Sequence, residues 1–211
     1  MASARMHGSV FAQEVPRVFE SFIEVLSEKP AFSVLVVNAP IGFLETPEMG
    51  ARTCDREVRE ILGRRGAAVH NAPSRAVLRN EITWHAGGID AVTATLLPRY
   101  REVAADMSPF RQRVVFEGHP ELSFFQLNRD NPLGTSKKIE PGLEERSEIL
   151  ESRMPGILAV LKADVGTVPT KHLFDVAAML WTARRILVRA AKRIPADPEW
   201  DSEGLRMEIV Y

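Results

Sequence analysis

The sequence has little of what would cross-link the chain or anchor it in a membrane. Its 211 residues include one Cys, Cys54, which excludes an internal disulfide and a thiolate zinc cluster and favours a reducing compartment. No apolar run reaches the ~18 residues of a membrane span, and the first residues lack the apolar core of a signal peptide. These absences predict a soluble, cytoplasmic protein.

Surplus charge of either sign is also absent. The chain carries 27 Lys and Arg against 28 Asp and Glu, for a net charge of −1. This balance gives no general attraction for nucleic acid or anionic membranes, so such binding would require a local patch. The GxGxxG, Walker and GxSxG patterns are missing too, which removes the dinucleotide-binding and serine-hydrolase interpretations.

Short apolar runs alternate with amphipathic stretches along the chain. Residues 32–37 and 113–117 are β-branched and almost continuously apolar, as in strands buried on both faces of a parallel sheet. The spacing predicts helices over 15–29, 55–63, most of 71–106, 143–154 and 171–194, and an edge strand over 205–211. This order predicts an α/β fold in a single domain over residues 1–211, with few strands for so many helices.

Polar side chains stand where the two predicted buried strands end. Ligands of α/β sheets bind beyond the carboxyl ends of strands, where Glu117 and Asn38 lie. Glu117 could hold a divalent cation through its carboxylate, and Asn38 could add a carbonyl oxygen. The alternative is that both residues only close turns by binding backbone amides near Pro40 and Pro120.

Asp175 interrupts the apolar face of the last long helix. An ionised Asp in such a position is costly unless it is paired or coordinates a cation. His172 lies three residues earlier on the same face, so the two side chains could ligate a metal or activate a water together. The alternative is that Asp175 is favoured by the helix dipole, with a solvated His172 nearby.

Two further groups of polar residues allow two interpretations each. Lys137 and Lys138 could contact a phosphate or could simply be solvated. Arg52, Cys54, Asp55 and Arg56 could form a polar cluster, although a helix start with an Asp in its first turn is the preferred interpretation.

Several segments reproduce, in order, the motifs of one protein family. Residues 38–42 (Asn-Ala-Pro-Ile-Gly) match a D-A-P-I-G segment, and residues 52–55, 62–65 and 69–75 match R-x-C-D, L-G-x-R and V-F-x-x-P-x-R. Residues 117–124 match E-x-H-P-E-x-S-F, residues 136–146 match S-K-K-x-x-x-G-x-x-x-R, and residues 172–177 and 204–206 match D-x-x-D-A and the closing G-L-R. Over roughly residues 10–211 the chain therefore resembles the predicted RNase H-like nucleases of domain of unknown function 429.

The resemblance implies an RNase H-like mixed sheet flanked by helices, and hydrolysis of phosphodiester bonds in a nucleic acid. In such nucleases clustered carboxylates bind two divalent cations, Mg²⁺ or Mn²⁺, which activate water. The matching residues here are Glu117 and Asp175 as catalytic metal ligands, Asn38 and His172 as auxiliary ligands, and Lys137 and Lys138 as phosphate contacts.

The chain departs from the family pattern in three places. Asn38 and His172 replace two aspartates, and no segment before Val10 matches the family's N-terminal Asp-bearing strand. The resemblance therefore implies that one or two N-terminal strands are missing. Two carboxylates neutralise only half the charge of two divalent ions, so a second hypothesis is a degenerate module that binds nucleic acid or a protein partner without catalysis. Nothing in the sequence indicates an oligomeric state.

Overall fold

The computed structural model describes residues 1–7, 10–162 and 168–211. The helices in these ranges are α1 (Phe22–Leu26), α2 (Thr53–Leu62), α3 (Arg75–Leu78), α4 (Ala91–Asp106), α5 (Pro120–Leu127), α6 (Glu140–Arg153), α7 (Ile157–Leu161) and α8 (Thr170–Leu187). The strands are β1 (Ser3–His7), β2 (Val10–Glu14), β3 (Leu35–Val37), β4 (Val115–Glu117), β5 (Arg193–Trp200) and β6 (Arg206–Val210).

The described strands form three two-stranded sheets. β3 and β4 run parallel, whereas β1 pairs antiparallel with β2, and β5 with β6. Mixed α/β structure is thus confirmed, and the two apolar runs form a parallel pair as their sequences predict. The three pairs are not joined by strand pairing into one larger sheet within the described residues.

The parallel pair lies between two groups of helices. On one side α8 contacts β3 and packs against α5 and α6, where Phe124, Leu150 and Ala177 are completely buried. Elsewhere Leu35 and Val115 share a second apolar cluster with Val103 of α4. None of the helices in the described ranges is long and apolar enough to cross a membrane.

Two predicted helices are shorter than their apolar spacing suggests. The helix predicted over 15–29 is confined to Phe22–Leu26, where the Ser21 side chain accepts a hydrogen bond from the Glu24 N–H. The helix predicted over 171–194 ends at Leu187, and Ile194 instead lies in β5 opposite Ile209. Both residues are buried in one cluster, so tertiary packing decides the structure here rather than local periodicity.

The first residues form strands that the sequence analysis did not predict. β1 and β2 make a hairpin in which Ser3 lies opposite Glu14. The hairpin is a sheet of its own, and its sequence contains no aspartate. The N-terminal segment thus supplies strands, but it supplies neither the missing carboxylate nor a neighbour for β3.

Candidate functional site

The two buried strands end side by side, as the sequence predicts. Val37, the last residue of β3, lies opposite Glu117, the last residue of β4. The Gly118 N–H donates to the Val37 carbonyl at 3.0 Å and ties the two ends together. Asn38 follows as an exposed residue, whereas Glu117 is buried. One end of the strand pair therefore presents an amide to solvent and keeps a carboxylate inside.

Both carboxylate oxygens of Glu117 are held by the guanidinium of Arg52. Arg52 Nη2 donates to Oε1 at 2.6 Å and Nη1 donates to Oε2 at 2.8 Å, while the Ile41 N–H also donates to Oε2 at 2.6 Å. Burial raises the pKa of Glu117 to about 7, and the charge of Arg52 opposes that rise. Glu117 therefore fixes the loop after β3 onto the start of α2.

Arg52 joins that carboxylate to a second one. Its Nε and Nη2 donate to the two Asp55 oxygens at 3.0 and 2.8 Å, and Nη1 donates to the carbonyls of Ile41 and Gly42 at 3.3 and 3.1 Å. Arg52 and Asp55 are 3% and 2% exposed. The predicted helix start is present at Thr53, with Asp55 in its first turn. Arg52 and Asp55 also form a buried polar cluster, whereas Arg56 is exposed and Cys54 packs in an apolar cluster.

Asp175 has a different cation as its partner. Lys137 Nζ donates to Asp175 Oδ2 at 2.5 Å, and His172 Nδ1 lies 3.8 Å from the same oxygen. Burial raises the pKa of Asp175, and the nearby ammonium of Lys137 opposes that rise. The other oxygen, Oδ1, is buried without a hydrogen-bond partner. The predicted proximity of His172 and Asp175 is therefore present, but Lys137 makes the closer contact.

A large cleft is lined by some, but not all, of the site residues predicted from the sequence. Its volume is about 1240 Å³, and its lining includes Asn38, His172 and Asp175. Glu117 and Lys137 are not part of that lining, and each belongs to a buried or half-buried ion pair beside it. Lys138 is exposed.

A third buried network is centred on Glu121, which the sequence pattern does not single out as a site residue. Arg146, which is fully buried, donates through Nη2 to both Glu121 oxygens at 2.8 and 3.0 Å, and Arg65 Nη2 lies 3.0 Å from Oε1. Burial acts to raise the pKa of Glu121, but Arg65 and Arg146 hold it below its usual value. The His119 Nδ1 accepts from the Glu121 N–H at 3.2 Å, and burial lowers the pKa of His119 to about 4. His119 is therefore a neutral helix cap at physiological pH.

The polar residues of distant motifs pair with one another in all three networks. Arg52 of R-x-C-D holds the first Glu of E-x-H-P-E, Arg146 of the S-K-K segment holds the second, and Lys137 holds Asp175. The signal available in the sequence was one arginine in each of two family motifs, R-x-C-D and S-K-K-x-x-x-G-x-x-x-R. Nothing in the spacing tells which acid each arginine meets.

The donor set does not fit the two divalent ions that the resemblance implies. Glu117 has both oxygens engaged by a guanidinium, and Asp175 has one oxygen engaged by an ammonium. Across residues 1–7, 10–162 and 168–211, no three His, Cys, Asp or Glu side chains gather in a way that could hold a metal ion. Asp175 Oδ1 is the one oxygen of these two carboxylates that lacks a hydrogen-bond partner.

One comparison with known proteins gives a match. The model of a family described as protein of unknown function (DUF429) matches residues 2–200. No curated protein and no solved structure matches the chain.

Proposed function

The chain belongs to the DUF429 family, and we propose that it is an RNase H-like module that has lost metal-dependent phosphodiester hydrolysis and acts by binding a protein partner. The observation that carries the proposal is the pairing of both candidate metal-binding carboxylates with cations of the chain itself. Glu117 is bound by Arg52 and Asp175 by Lys137. A divalent ion would have to displace the guanidinium of Arg52 before it could bind Glu117, and the ammonium of Lys137 before it could bind Asp175 through Oδ2.

The two aspartate replacements support the same conclusion. Mg²⁺ is bound through one or more carboxylates with near-octahedral geometry, whereas an amide and an imidazole bring no negative charge. Asn38 and His172 line the cleft with Asp175, and this part of the cleft has no surplus negative charge after Lys137 is counted.

The cleft is better suited to a protein than to a nucleic acid. Nucleic acids are held mainly by unpaired Lys and Arg side chains that replace counterions on phosphates. Three arginines of the cleft instead face a glutamate of the cleft: Arg5 pairs with Glu14, Arg17 with Glu28, and Arg99 with Glu102. These pairs supply no net positive charge for a polyanion.

A nuclease that works with a single ion is the second candidate, and one observation favours it. Asp175 Oδ1 has no partner, and Asn38 and His172 line the same cleft with an oxygen and a nitrogen to offer. With these three groups the ion would be Mn²⁺ rather than Mg²⁺, because imidazole suits the softer metal. Lys137 and Lys138 would then remain candidates for phosphate contact.

Incubation with labelled substrates separates the two functions. Single- and double-stranded DNA and RNA oligonucleotides would be incubated with the protein, with Asp175→Asn and with Lys192→Ala in millimolar Mg²⁺ or Mn²⁺. Lys192 is exposed and lies outside the cleft lining, so its variant controls for general loss of surface charge. We expect no metal-dependent cleavage by any of the three.

Cleavage that needs Mn²⁺, persists in Lys192→Ala and disappears in Asp175→Asn would contradict the proposal and establish the one-ion nuclease. Melting temperatures recorded with and without the same metals provide a second measurement that does not depend on choosing the right substrate. We expect the melting temperature of the unaltered chain to be unchanged by either ion, since a ligand stabilises only the folded state that binds it.

A further inference from the structure

Strand β3 has one edge that no other described strand covers. The Leu35 N–H donates to the Val114 carbonyl at 2.8 Å, and the Val37 carbonyl accepts from Gly118 at 3.0 Å, so both residues face β4. Residues of a strand alternate in direction, and the N–H and C=O of Val36 therefore point to the opposite edge. Within the described ranges β3 pairs with β4 alone.

The sequence places no charged residue or proline on this edge. Exposed edges are usually blunted by such residues, by a bulge or by a very short strand. Residues 32–37 read Phe-Ser-Val-Leu-Val-Val, so of these devices only the short length of β3, three residues, applies. The strand has the character of a central strand, although it lies at an edge.

The uncovered edge faces the large cleft. All residues from Ser33 to Ala39 line it, and the opposite walls are the N-terminal hairpin, α4 and the face of α8 that carries Asp175, Val176 and Met179. Its volume of about 1240 Å³ exceeds the roughly 300–1,000 Å³ of ordinary small-molecule pockets. The space suits a stretch of polypeptide.

The cleft also contains one acceptor that needs a donor. Asp175 is 7% exposed, and its Oδ1 has no hydrogen-bond partner, which is costly for a buried carboxylate oxygen. Its other oxygen is satisfied by Lys137. A ligand that enters the cleft with a hydrogen-bond donor would satisfy this oxygen.

From these observations we propose that the cleft binds one extended segment of a partner protein, which adds a strand to the free edge of β3 and presents a donor side chain to Asp175. Main-chain hydrogen bonds to Val36 would supply affinity, and alternate side chains would contact the apolar wall of α8. This inference rests on the proposed function, and it names the mode of recognition and the chemistry of the partner.

The test uses selected peptides as the probe. A phage-displayed library of random 12-residue peptides would be panned against the full chain, and enriched peptides would be synthesised and measured by fluorescence polarisation. Each backbone N–H of a tight-binding peptide would then be methylated in turn. An added strand bonds through every second residue, so methylation should weaken binding at least tenfold at alternate positions and little at the positions between them.

Three variants of the protein complete the test. Val36→Pro removes the free N–H, which an edge strand tolerates when that group faces away from its neighbour, and Val36→Ala keeps the N–H as the matched control. Asp175→Asn leaves the shape of the side chain and removes its charge. We expect Val36→Pro to lose binding at least tenfold, Val36→Ala to lose less, and Asp175→Asn to weaken the binding of peptides that carry a donor side chain. Circular dichroism confirms that each variant is folded.

Several results would overturn the inference. One is a methylation profile that is flat or has a helical period. The others are equal binding of the peptide by Val36→Pro and Val36→Ala, and a library that yields no peptide that binds the unaltered chain better than Val36→Pro. A dimer of the chain that Val36→Pro dissociates would show that a second copy covers the edge, and displacement of the peptide by a 20-nucleotide DNA would indicate a nucleic-acid site. The proposed function can fail separately, through metal-dependent cleavage, while the methylation profile still holds.

Discussion

Replacing Arg52 tests whether the Glu117 network is a structural bond rather than an empty metal site. Arg52→Met removes a guanidinium that is 3% exposed, keeps most of the apolar stem and leaves two buried carboxylates without their cation. Breaking a buried ion pair from one side costs about 3–5 kcal/mol. For a chain of 211 residues this corresponds to a fall in melting temperature of about 6–20 °C.

The loss of stability in Arg52→Met should depend on pH, and the burial of Glu117 determines the direction of that dependence. The pKa of Glu117 is raised to about 7 by burial even with Arg52 present, and removal of the arginine raises it further. The folded state then binds a proton more tightly than the unfolded state, so the stability of Arg52→Met falls as pH rises from about 4.5 and continues to fall above pH 7. We therefore expect Arg52→Met to be destabilised more at pH 8 than at pH 5.

Urea denaturation at the two pH values measures both effects, and a double variant supplies the control. Arg52→Met with Glu117→Gln removes one of the two buried carboxylates that Arg52→Met leaves without a cation, so it should be more stable than Arg52→Met alone at pH 8. A loss below about 1 kcal/mol, or equal stability of the single and double variants, would refute the reasoning, because exposed pairs behave in that way.

Three other substitutions give expected outcomes of their own. Arg146→Met should cost about 3–5 kcal/mol, against about 1 kcal/mol or less for the exposed Arg99→Met, when both are compared by urea denaturation. Asp90 caps α4 by accepting from the N–H groups of residues 92 and 93 at 2.9 and 3.0 Å, so Asp90→Ala should lose about 0.5–2 kcal/mol and Asp90→Ser should lose less. Gly142→Ala would place a Cβ 2.0 Å from the carbonyl oxygen of residue 136, and it should lower the melting temperature despite the better helix propensity of Ala, whereas Gly134→Ala meets nothing closer than 3.8 Å and should be tolerated.

Local sequence patterns predicted the elements whose signal lies in their own consecutive residues. The apolar runs around Val36 and Val115 form a parallel pair as predicted, but the strands cover only Leu35–Val37 and Val115–Glu117, and Val36 and Val37 are half-buried. The five-residue length of α1 and the β5 strand at Ile194 could not be predicted, since they depend on which surfaces the folded chain covers. Short apolar segments of this kind are consistent with a helix or a strand.

The candidate site was predictable in its residues but not in its contacts. Asn38, His172 and Asp175 were identified from strand ends and helix faces, and all three line one cleft. The partners Arg52 and Lys137 lie 65 and 38 residues from the acids they bind, and a sequence alone carries no rule for pairing charges over such separations. Each of these motifs contains an Arg or a Lys, and without a known partner such a side chain is interpreted as solvated.

The charges of the cleft connect the two aspartate replacements with the position of Lys137. In the group formed by Asn38, His172, Asp175 and Lys137, the ion pair of Asp175 with Lys137 brings one negative and one positive charge, so it calls for no further ion. Asn38→Asp with His172→Asp would leave two negative charges unbalanced, which is the charge that one Mg²⁺ neutralises. We therefore expect the double variant to bind Mg²⁺ in isothermal titration and to melt at a higher temperature in its presence, while the unaltered chain shows at most weak binding that prefers Mn²⁺. If the double variant instead melts earlier and ignores millimolar Mg²⁺ and Mn²⁺, the added carboxylates only repel Asp175, and the cleft has no metal site to restore.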